Sequence, residues 1–308
     1  MRTAILFLVI VLIGVDLFSQ HPTYINYTTE GGLPSNDVYH VIQDRQGYLW
    51  FATDNGASRF DGRNFTNFTT NDGLTDNTVL ELYEDYKGRI WFIPFSCRLC
   101  YFEDNAIHQY EFNDTIAKNF TNGFKTIKQQ FFVSSKDEVY IHSQGNGLLA
   151  INESGYCKRL TKGSTQCYKV SFIKQELRDT LSLVHLYYND SNFIYNDGVS
   201  SIEDSVSHVL MPDFYSGRRH LIEYSDGFRL VSKNPLIIIL KEQDIVRISN
   251  FSEEIIWLSS TEENNLWVCL ANRGIIYYDD IINKPEEYVN YFDGKTFTSV
   301  IEDHESGV

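Results

Sequence analysis

A segment of the chain repeats itself at a spacing of 41 residues, and this repeat constrains the fold more than any other feature. The first copy contains Asp44, Gly47 and a Leu-Trp-Phe run, and the second contains Asp85, Gly88 and an Ile-Trp-Phe run. A period of about 40 to 45 residues that holds several short strands is typical of a β-propeller blade, because such a unit must stack on neighbours to bury both faces. We therefore predict an all-β propeller.

Within the first copy the apolar residues alternate with a period of two, which predicts β-strands. Four antiparallel strands are expected, at Val38 to Gln43, Tyr48 to Thr53, Ala57 to Phe60 and Phe65 to Phe68. Turns rich in Gly, Asn and Asp separate them, so the copy predicts one four-stranded blade. Trp50 and Trp91 lie in the middle of apolar strands, which predicts that they pack between blades rather than against a ligand.

A turn followed by an apolar strand recurs along the chain. Its seven copies contain Asp44, Asp85, Asp137, Asp190, Asp226, Glu263 and Asp303. We therefore predict a seven-bladed propeller over residues 21–308, with its last blade truncated because the sequence ends at Val308, before the next Leu-Trp strand. A strand left without partners there would expose its edge, so we expect an N-terminal fragment of a longer protein. Tyr24 to Tyr27 is expected to supply the outer strand of the blade begun at Thr298.

Residues 1–20 are interpreted as a signal peptide. Arg2 supplies a positive start, Ala4 to Val15 is an apolar run, and Ser19 is a small residue near a cleavage position. The run is shorter than the roughly 20 apolar residues that span a bilayer. A retained membrane anchor is the alternative, because Leu17 and Phe18 fit the cleavage pattern poorly. We place the mature chain outside the cytoplasm.

The composition excludes several classes of partner. A net charge of -15 repels nucleic-acid phosphates and anionic lipid headgroups, so neither is expected to bind this segment. His40, His142 and His220 show no metal-ligand spacing, and no Gly-rich phosphate-binding loop occurs, so we expect neither a metal nor a cofactor. With 43% hydrophobic residues the chain builds a large core rather than a disordered segment.

The five cysteines allow two alternatives to simple burial. Cys97 and Cys100 are three residues apart on a segment that enters a strand, where such positions face opposite ways, so a shared metal is disfavoured. Cys157 and Cys167 flank a Lys-Gly-Ser-Thr turn and are candidates for a disulfide across a hairpin in an oxidising compartment. The sequence leaves that pairing open.

The repeat resembles that of the two-component regulator propeller family. The family pattern runs Gly-Leu-Pro-x-Asn, then Asp-x-x-Gly-x-Leu-Trp, then Gly and an aromatic-Asp pair. It is matched here by Gly32-Leu33-Pro34-Ser35-Asn36, Asp44, Gly47, Leu49-Trp50-Phe51-Ala52-Thr53, Gly56-Ala57 and Phe60-Asp61. The resemblance covers residues 30–102 and 263–308, and the second copy departs from it at Ile93-Pro94-Phe95-Ser96-Cys97.

The resemblance implies an extracytoplasmic, periplasmic sensor. Such proteins carry one or two propellers, a small β-sandwich, a transmembrane helix and a histidine kinase or DNA-binding output, and many hybrid sensors detect oligosaccharides. The full-length protein is then expected to be anchored in the inner membrane through its C-terminal part, with a homodimer left open. No kinase motif occurs in this segment, so it is not expected to be an enzyme, and kinase activity would lie beyond Val308.

Two other functions compete with ligand sensing. A propeller glycoside hydrolase or lyase is disfavoured, because Asp44 and Asp85 recur at equivalent turns whereas a catalytic pair should occur once. The Asp-x-x-Gly spacing is also one residue longer than that of the Asp-box of propeller sialidases. A non-catalytic propeller that grips a protein partner is the main alternative, and the sequence does not separate it from a sensor.

The candidate ligand site is one face of the propeller. Loops from an outer strand to the next inner strand open on the same face as loops between second and third strands. Amides, hydroxyls and carboxylates there suit the hydroxyl groups of an oligosaccharide, and Tyr39 is placed to stack on a sugar ring. The predicted ligand-binding residues are Asn36, Asp37, Tyr39, Asp54, Asn55, Arg59, Asn77 and Thr78.

Overall fold

The computed structural model describes residues 25–301, apart from 121–130, 135, 144–145, 160–166, 175–181, 189–190, 197–198, 204–220, 224–227, 234, 242–243 and 261–263. Within these residues the chain is almost entirely β-structure. One short helix, α1 (Asn113–Asn119), follows the second sheet, and 3-10 turns occur at Thr29–Gly31 and Thr70–Asp72. The predicted signal peptide, residues 1–20, lies outside the described residues and stays a prediction.

The described strands form six four-stranded antiparallel sheets, each a simple meander in chain order. The first sheet comprises β1 (Val38–Gln43), β2 (Leu49–Thr53), β3 (Gly56–Phe60) and β4 (Phe65–Phe68). The second comprises β5 (Val79–Glu84), β6 (Ile90–Pro94), β7 (Cys100–Glu103) and β8 (Ala106–Gln109). The third comprises β9 (Phe131–Val133), β10 (Val139–Ser143), β11 (Gly147–Ile151) and β12 (Cys157–Arg159).

The remaining three sheets follow the same plan. The fourth comprises β13 (Cys167–Lys174), β14 (Ser182–Tyr188), β15 (Ser191–Asn196) and β16 (Val199–Glu203). The fifth comprises β17 (Leu221–Glu223), β18 (Phe228–Lys233), β19 (Leu236–Lys241) and β20 (Asp244–Asn250). The sixth comprises β21 (Ile255–Ser259), β22 (Leu266–Leu270), β23 (Gly274–Tyr278) and β24 (Val289–Tyr291). The all-β prediction and the four strands of the first blade are confirmed.

The aspartate of each of the first two repeats binds the tryptophan of the same repeat. Asp44 Oδ1 accepts the backbone N–H groups of Gln46 and Tyr48, both at 2.9 Å, and Oδ2 accepts the indole Nε1–H of Trp50 at 2.7 Å. One repeat later, Trp91 Nε1 donates to Asp85 Oδ2 at 2.8 Å. The predicted turn role of these aspartates is confirmed, and the indole hydrogen bond explains why Asp and Trp recur together.

The tryptophans fill the space between neighbouring sheets. Trp50 and Trp91 are each 1% exposed. The Trp50 ring lies 5.0 Å from the ring of Phe102 and 6.1 Å from that of Phe92, both in the second sheet. Trp91 lies 5.2 Å from Phe131 of the third sheet. The predicted packing role of both residues is confirmed.

The repeat was assigned to the correct turn but the wrong residue in the third sheet, and to the wrong turn in the fourth. The turn before β10 begins at Ser134, whose Oγ accepts the backbone N–H groups of Lys136 and Glu138, whereas Asp137 has φ 59° and fills the left-handed position of Gly47. Asp190 lies outside the described residues, and the strand after it, β15, is the third strand of its sheet rather than the second. Acidic turn residues occur at several turns of a blade, so they do not identify a particular one.

The other predicted turn residues, Asp226, Glu263 and Asp303, also lie outside the described residues. The strands after the first two, β18 and β22, are second strands of their sheets, as the repeat predicts. In the sixth sheet Asn264 has φ 61° and takes the left-handed turn position.

The segment after the sixth sheet runs between that sheet and the first. Thr298 Oγ1 donates to the carbonyl of Val38 in β1 at 3.0 Å, and Trp257 Nε1 in β21 donates to the carbonyl of Val300 at 3.2 Å. The rings of His40 and Trp257 lie 5.0 Å apart, so the first strands of the first and sixth sheets approach each other. A seventh blade that begins at Thr298 fits this position, but residues 302–308 are not described, and seven blades remain a prediction.

The segment before the first sheet packs where an outer strand is expected. Tyr27 lies one repeat before Phe68, which ends β4, and its ring is 4.9 Å from the ring of Phe60 and 5.5 Å from that of Phe65. Residues 25–28 form no strand with any described residue, and Tyr24 is not described. The outer-strand prediction for Tyr24 to Tyr27 therefore stays a prediction.

The cysteines do not form the hairpin bridge that the sequence left open. Cys157 lies in β12 of the third sheet and Cys167 begins β13 of the fourth, so the two do not share a hairpin. Cys100 and Cys157 form no disulfide with a described residue. Burial raises the pKa of the Cys100 and Cys157 thiols, which keeps them protonated and unreactive.

Candidate functional site

The turn between β2 and β3 joins the two connections that flank the first sheet. Asn55 Nδ2 donates to the carbonyl of Pro34 at 3.0 Å, on the segment that leads into β1. Thr78 Oγ1 donates to the carbonyl of Asp54 at 3.4 Å, from the segment that leads into β5. Residues 34–37, 54–55, 75–78 and 94–98 thus share one surface, which we call the connection face.

Two predicted ligand residues have a repeated structural role. Asn36 Oδ1 accepts the backbone N–H of Thr29 at 2.9 Å, and Asn77 Oδ1 accepts that of Thr70 at 2.8 Å. These equivalent bonds hold the 3-10 turn that precedes each sheet. The Nδ2 group of each side chain carries no hydrogen bond to a described residue, so each can offer donors to a ligand, whereas its carbonyl oxygen already accepts one bond.

Other predicted residues present polar groups on the same surface. Asp37, Asp54 and Asn55 are exposed, and Thr78 is half-buried. Tyr39 is half-buried in β1, at the irregularity in the pairing of β1 with β2 between Val38 and His40. The structure therefore brings seven of the eight predicted residues to the connection face or to the strand that leads from it.

Arg59 is the predicted residue that lies elsewhere. Its guanidinium carbon is 4.8 Å from the centre of the Tyr48 ring and 5.4 Å from that of Phe102. Tyr48 precedes β2, at the end of that strand opposite to Asp54. Arg59 therefore packs on aromatic rings between the first two sheets, where a cation is favoured by the ring faces.

The residue that the sequence analysis missed is Phe95. Its side chain is 69% exposed, and its backbone N–H donates to the carbonyl of Thr78 at 2.8 Å. The same loop is tied down by Ser96 N, which donates to Asp76 Oδ2 at 2.9 Å, and by a bond from Thr75 Oγ1 to the Arg98 carbonyl. The sequence signal for Phe95 was the departure of residues 93–97 from the repeat. The turn-forming residues of the first copy are replaced there by an aromatic residue, and such a replacement indicates a role other than forming the turn.

The connection face offers several groups that can bind a polar molecule. It offers the exposed carboxylates of Asp37 and Asp54, amide groups, a hydroxyl group and the Phe95 ring. The recurring aspartates Asp44 and Asp85 are 6% and 0% exposed and are occupied by backbone and indole donors, so a substrate cannot reach them. No group of three or more His, Cys, Asp or Glu side chains able to hold a metal occurs among the described residues.

Comparison with known proteins supports the repeat and the fold. The family described as two component regulator propeller matches residues 32–55. No curated protein matches the sequence.

Several solved structures share the fold at low identity. One is the extracellular domain of the one-component system BT4673 from B. thetaiotaomicron, which is 17% identical to this chain with a TM-score of 0.65. The match covers 93% of this chain and 40% of the BT4673 chain. The extracellular domain of the hybrid two-component system BT3049 from the same organism is 17% identical with a TM-score of 0.59, covering 91% and 38%. PorZ of Porphyromonas gingivalis, a surface component of the type-IX secretion system, is 12% identical with a TM-score of 0.57, covering 88% and 43%.

The chain thus spans about two fifths of the length of the structures that it matches. Within the described part of the chain no helix is both long and apolar enough to cross a membrane. The matched repeat in the first sheet, the Asp–Trp bond that explains it and the shared fold all agree with the resemblance found in the sequence. Residues 32–55 thus match the repeat of the two-component regulator propeller family, within a chain that has a β-propeller fold.

Proposed function

We propose that this propeller is the extracytoplasmic ligand-sensing region of a two-component signal transduction protein, and that its connection face binds an oligosaccharide. The family repeat and the fold shared with extracellular domains of bacterial one- and two-component systems support the sensor role. The observation that carries the ligand class is an exposed phenylalanine, Phe95, on a loop that is hydrogen-bonded to Thr78, which in turn is bonded to the turn of Asp54 and Asn55.

This combination matches the chemistry of a sugar ring. Sugar hydroxyl groups donate and accept at once, so they need carboxylate or carbonyl acceptors as well as amide donors within reach. An aromatic ring packs against the apolar C–H face of the sugar and excludes water from it. Phe95 supplies the ring, Asp37 and Asp54 supply acceptors, and the Nδ2 groups of Asn36 and Asn77 supply donors.

The connection face is also placed to transmit binding. Its loops come from the first and second sheets and are already bonded to one another through Asn55, Thr78 and Ser96. A ligand held across them would restrain two blades together. The output that reads this change, such as a histidine kinase in an inner-membrane protein or its homodimer, would lie beyond residue 308.

Titration calorimetry with a panel of oligosaccharides tests the proposal. We expect one class of oligosaccharide to bind the purified protein and Phe95→Ala to weaken it by about tenfold, since loss of one stacked ring costs about 1–1.5 kcal/mol. Tyr156→Ala is the matched control, because Tyr156 is an aromatic residue that is 66% exposed in the turn between β11 and β12, away from the connection face. If Phe95→Ala leaves the oligosaccharide affinity unchanged, the connection face is not the binding site.

A protein partner is the second candidate, because an exposed phenylalanine is also a typical anchor of a protein interface. Under this alternative the panel gives no binding, and Phe95→Ala instead abolishes capture of a specific partner polypeptide. The same two variants therefore distinguish the sensor from the interaction scaffold.

A further inference from the structure

A cleft of about 570 Å³ lies between the second and third sheets. Its walls include Arg89, Asp137 and Glu153, which lie at the first-to-second and third-to-fourth strand turns. The cleft is therefore on the side of the sheets opposite to the connection face, and it plays no part in the proposed function. Its volume lies within the range of about 300–1,000 Å³ that is usual for small-molecule sites.

The cations at the mouth of the cleft are already neutralised. Arg89 Nε donates to Asp85 Oδ2 at 2.6 Å, and its Nη2 donates to Asp137 Oδ1 at 2.5 Å. Lys87 Nζ pairs with the other oxygen of Asp137. The guanidinium carbon of Arg89 also lies 5.3 Å from the centres of the Trp91 and Tyr101 rings. Two cations and two carboxylates thus cancel, and this network adds no net charge to the cleft.

Two carboxylates outside this network also line the cleft, together with the imidazole of His108. Glu111 follows the second sheet and Glu153 lies at the turn after β11, so they line opposite walls. Neither carboxylate has an ion-pair partner among the residues that the structure describes. The two walls touch at Phe112 and Gly155, where a Cβ atom on Gly155 would lie 2.4 Å from Phe112 Cε1. Close contact at this point holds both glutamates at one end of the cleft.

Aromatic rings line the cleft beside these glutamates. Tyr110 is 8% exposed, and its ring lies edge-on at 5.5 Å from that of Phe112. Burial raises the pKa of the Tyr110 phenol, and the nearby charge of Glu111 raises it further. Aromatic side chains and carboxylates that line the same cleft favour an organic cation, because both attract positive charge and the rings also cover its hydrocarbon part.

We propose that this cleft is a second ligand site, which binds a small organic amine as its ammonium ion between the Tyr110 and Phe112 rings and the carboxylates of Glu111 and Glu153. The proposal rests on the cavity, its rings and its charge, and not on the sensor function. Anionic molecules such as uronic acids are rejected by the same carboxylates.

Calorimetry with 1,5-diaminopentane and its neutral analogue 1,5-pentanediol tests this site on the purified protein. We expect the diamine to bind and the diol not to bind. Glu111→Gln and Glu153→Gln should each weaken the diamine by about tenfold, because each removes one charge-assisted contact and keeps the shape of the side chain. Glu103→Gln is the matched control, because it removes the same charge from β7 of the second sheet outside the cleft.

The thermal stability of the Gln variants serves as a control for folding. Both glutamates are exposed, so the Gln variants should unfold at the same temperature as the parent protein, which separates loss of binding from loss of fold. Weakening that is specific to the two cleft variants supports the site. Equal binding of the diol, an unchanged affinity in both Gln variants or no diamine binding would each overturn it. The oligosaccharide affinity of the connection face should not change in any of these variants.

Discussion

The first two sheets are copies of one repeat, but they differ in their turns and exposed residues. Both hold a buried tryptophan on a buried aspartate, at 2.7 Å and 2.8 Å. The second sheet replaces the turn residue Gly56 with Cys97, carries the exposed Phe95 loop, and places Arg89 where the first sheet has Tyr48. The residues that repeat therefore form the packed blade, whereas the residues that depart from the repeat form its distinctive exposed surfaces.

The largest expected effect tests what the two copies share. Trp50→Ala and Trp91→Ala should each lower the free energy of unfolding by about 3–5 kcal/mol, since each ring fills the space between two sheets. Chemical denaturation followed by circular dichroism measures both. A Trp50→Ala protein that keeps its stability and loses only ligand affinity would assign this residue to a site instead of the core.

A smaller effect should separate the two aspartates. Asp85 binds Arg89 as well as Trp91, so Asp85→Asn leaves a half-buried cation with one carboxylate fewer and should cost about 3 kcal/mol. Asp44→Asn keeps an acceptor for the turn amides and should cost about 1–2 kcal/mol. Equal losses in denaturation midpoint would show that Arg89 adds nothing to the second copy.

The turn that differs between the copies gives a third test. Gly56 has φ 108°, and a Cβ atom there would lie 2.3 Å from the carbonyl oxygen of Phe68, so Gly56→Ala should be strongly destabilising. Cys97, at the equivalent position, already has φ 63°, and Cys97→Gly should stabilise the protein by about 1 kcal/mol by relieving a left-handed conformation. Thermal unfolding of the two variants should therefore shift in opposite directions. If Cys97→Gly instead lowers the unfolding temperature, the Cys97 side chain makes contacts that stabilise the loop.

The smallest expected effect is on the pH dependence of stability, through Asp137. Burial alone would raise the pKa of Asp137, but hydrogen bonds from Lys87, Tyr86 and Arg89 hold it below its usual value. A carboxyl whose pKa is lowered by folding stabilises the protein above the unfolded-state pKa of about 3.9, and this contribution is lost as the pH falls through the folded-state value. Asp137→Asn should therefore lose less stability than the parent protein between pH 5 and pH 2, roughly the window of carboxyl titration. A parallel pH profile for the two proteins would contradict the prediction.

The sequence predicted the parts of the fold that are fixed by local chemistry. The four strands of the first sheet follow from alternation and turn residues, and Leu49 replaces Tyr48 as the first residue of β2. In the third sheet the turn before β10 was predicted but its first residue was not, because Ser134 accepts the turn N–H groups with a hydroxyl group in place of an aspartate. The fourth sheet was phased wrongly because acidic residues occupy several turns of a blade. Composition identifies a turn, but only the pairing of strands shows which turn it is.

The candidate site was predicted in position more than in detail. Asn36 and Asn77 reach the connection face, but their carbonyl groups are used to hold the backbone of Thr29 and Thr70. Arg59 was misplaced, because a position near the end of a strand does not reveal that the side chain lies over the Tyr48 ring. Phe95 and the cleft depend on contacts between successive repeats, which no single repeat displays.

Hydrogen–deuterium exchange with and without the oligosaccharide that titration identifies tests whether the connection face is the sensing surface. We expect the ligand to slow exchange in residues 34–37, 54–55, 75–78 and 94–98, and to leave the turns at the opposite side of the sheets unchanged. Protection confined to the cleft between the second and third sheets, or spread evenly over the chain, would contradict the claim that the connection face is the sensing surface.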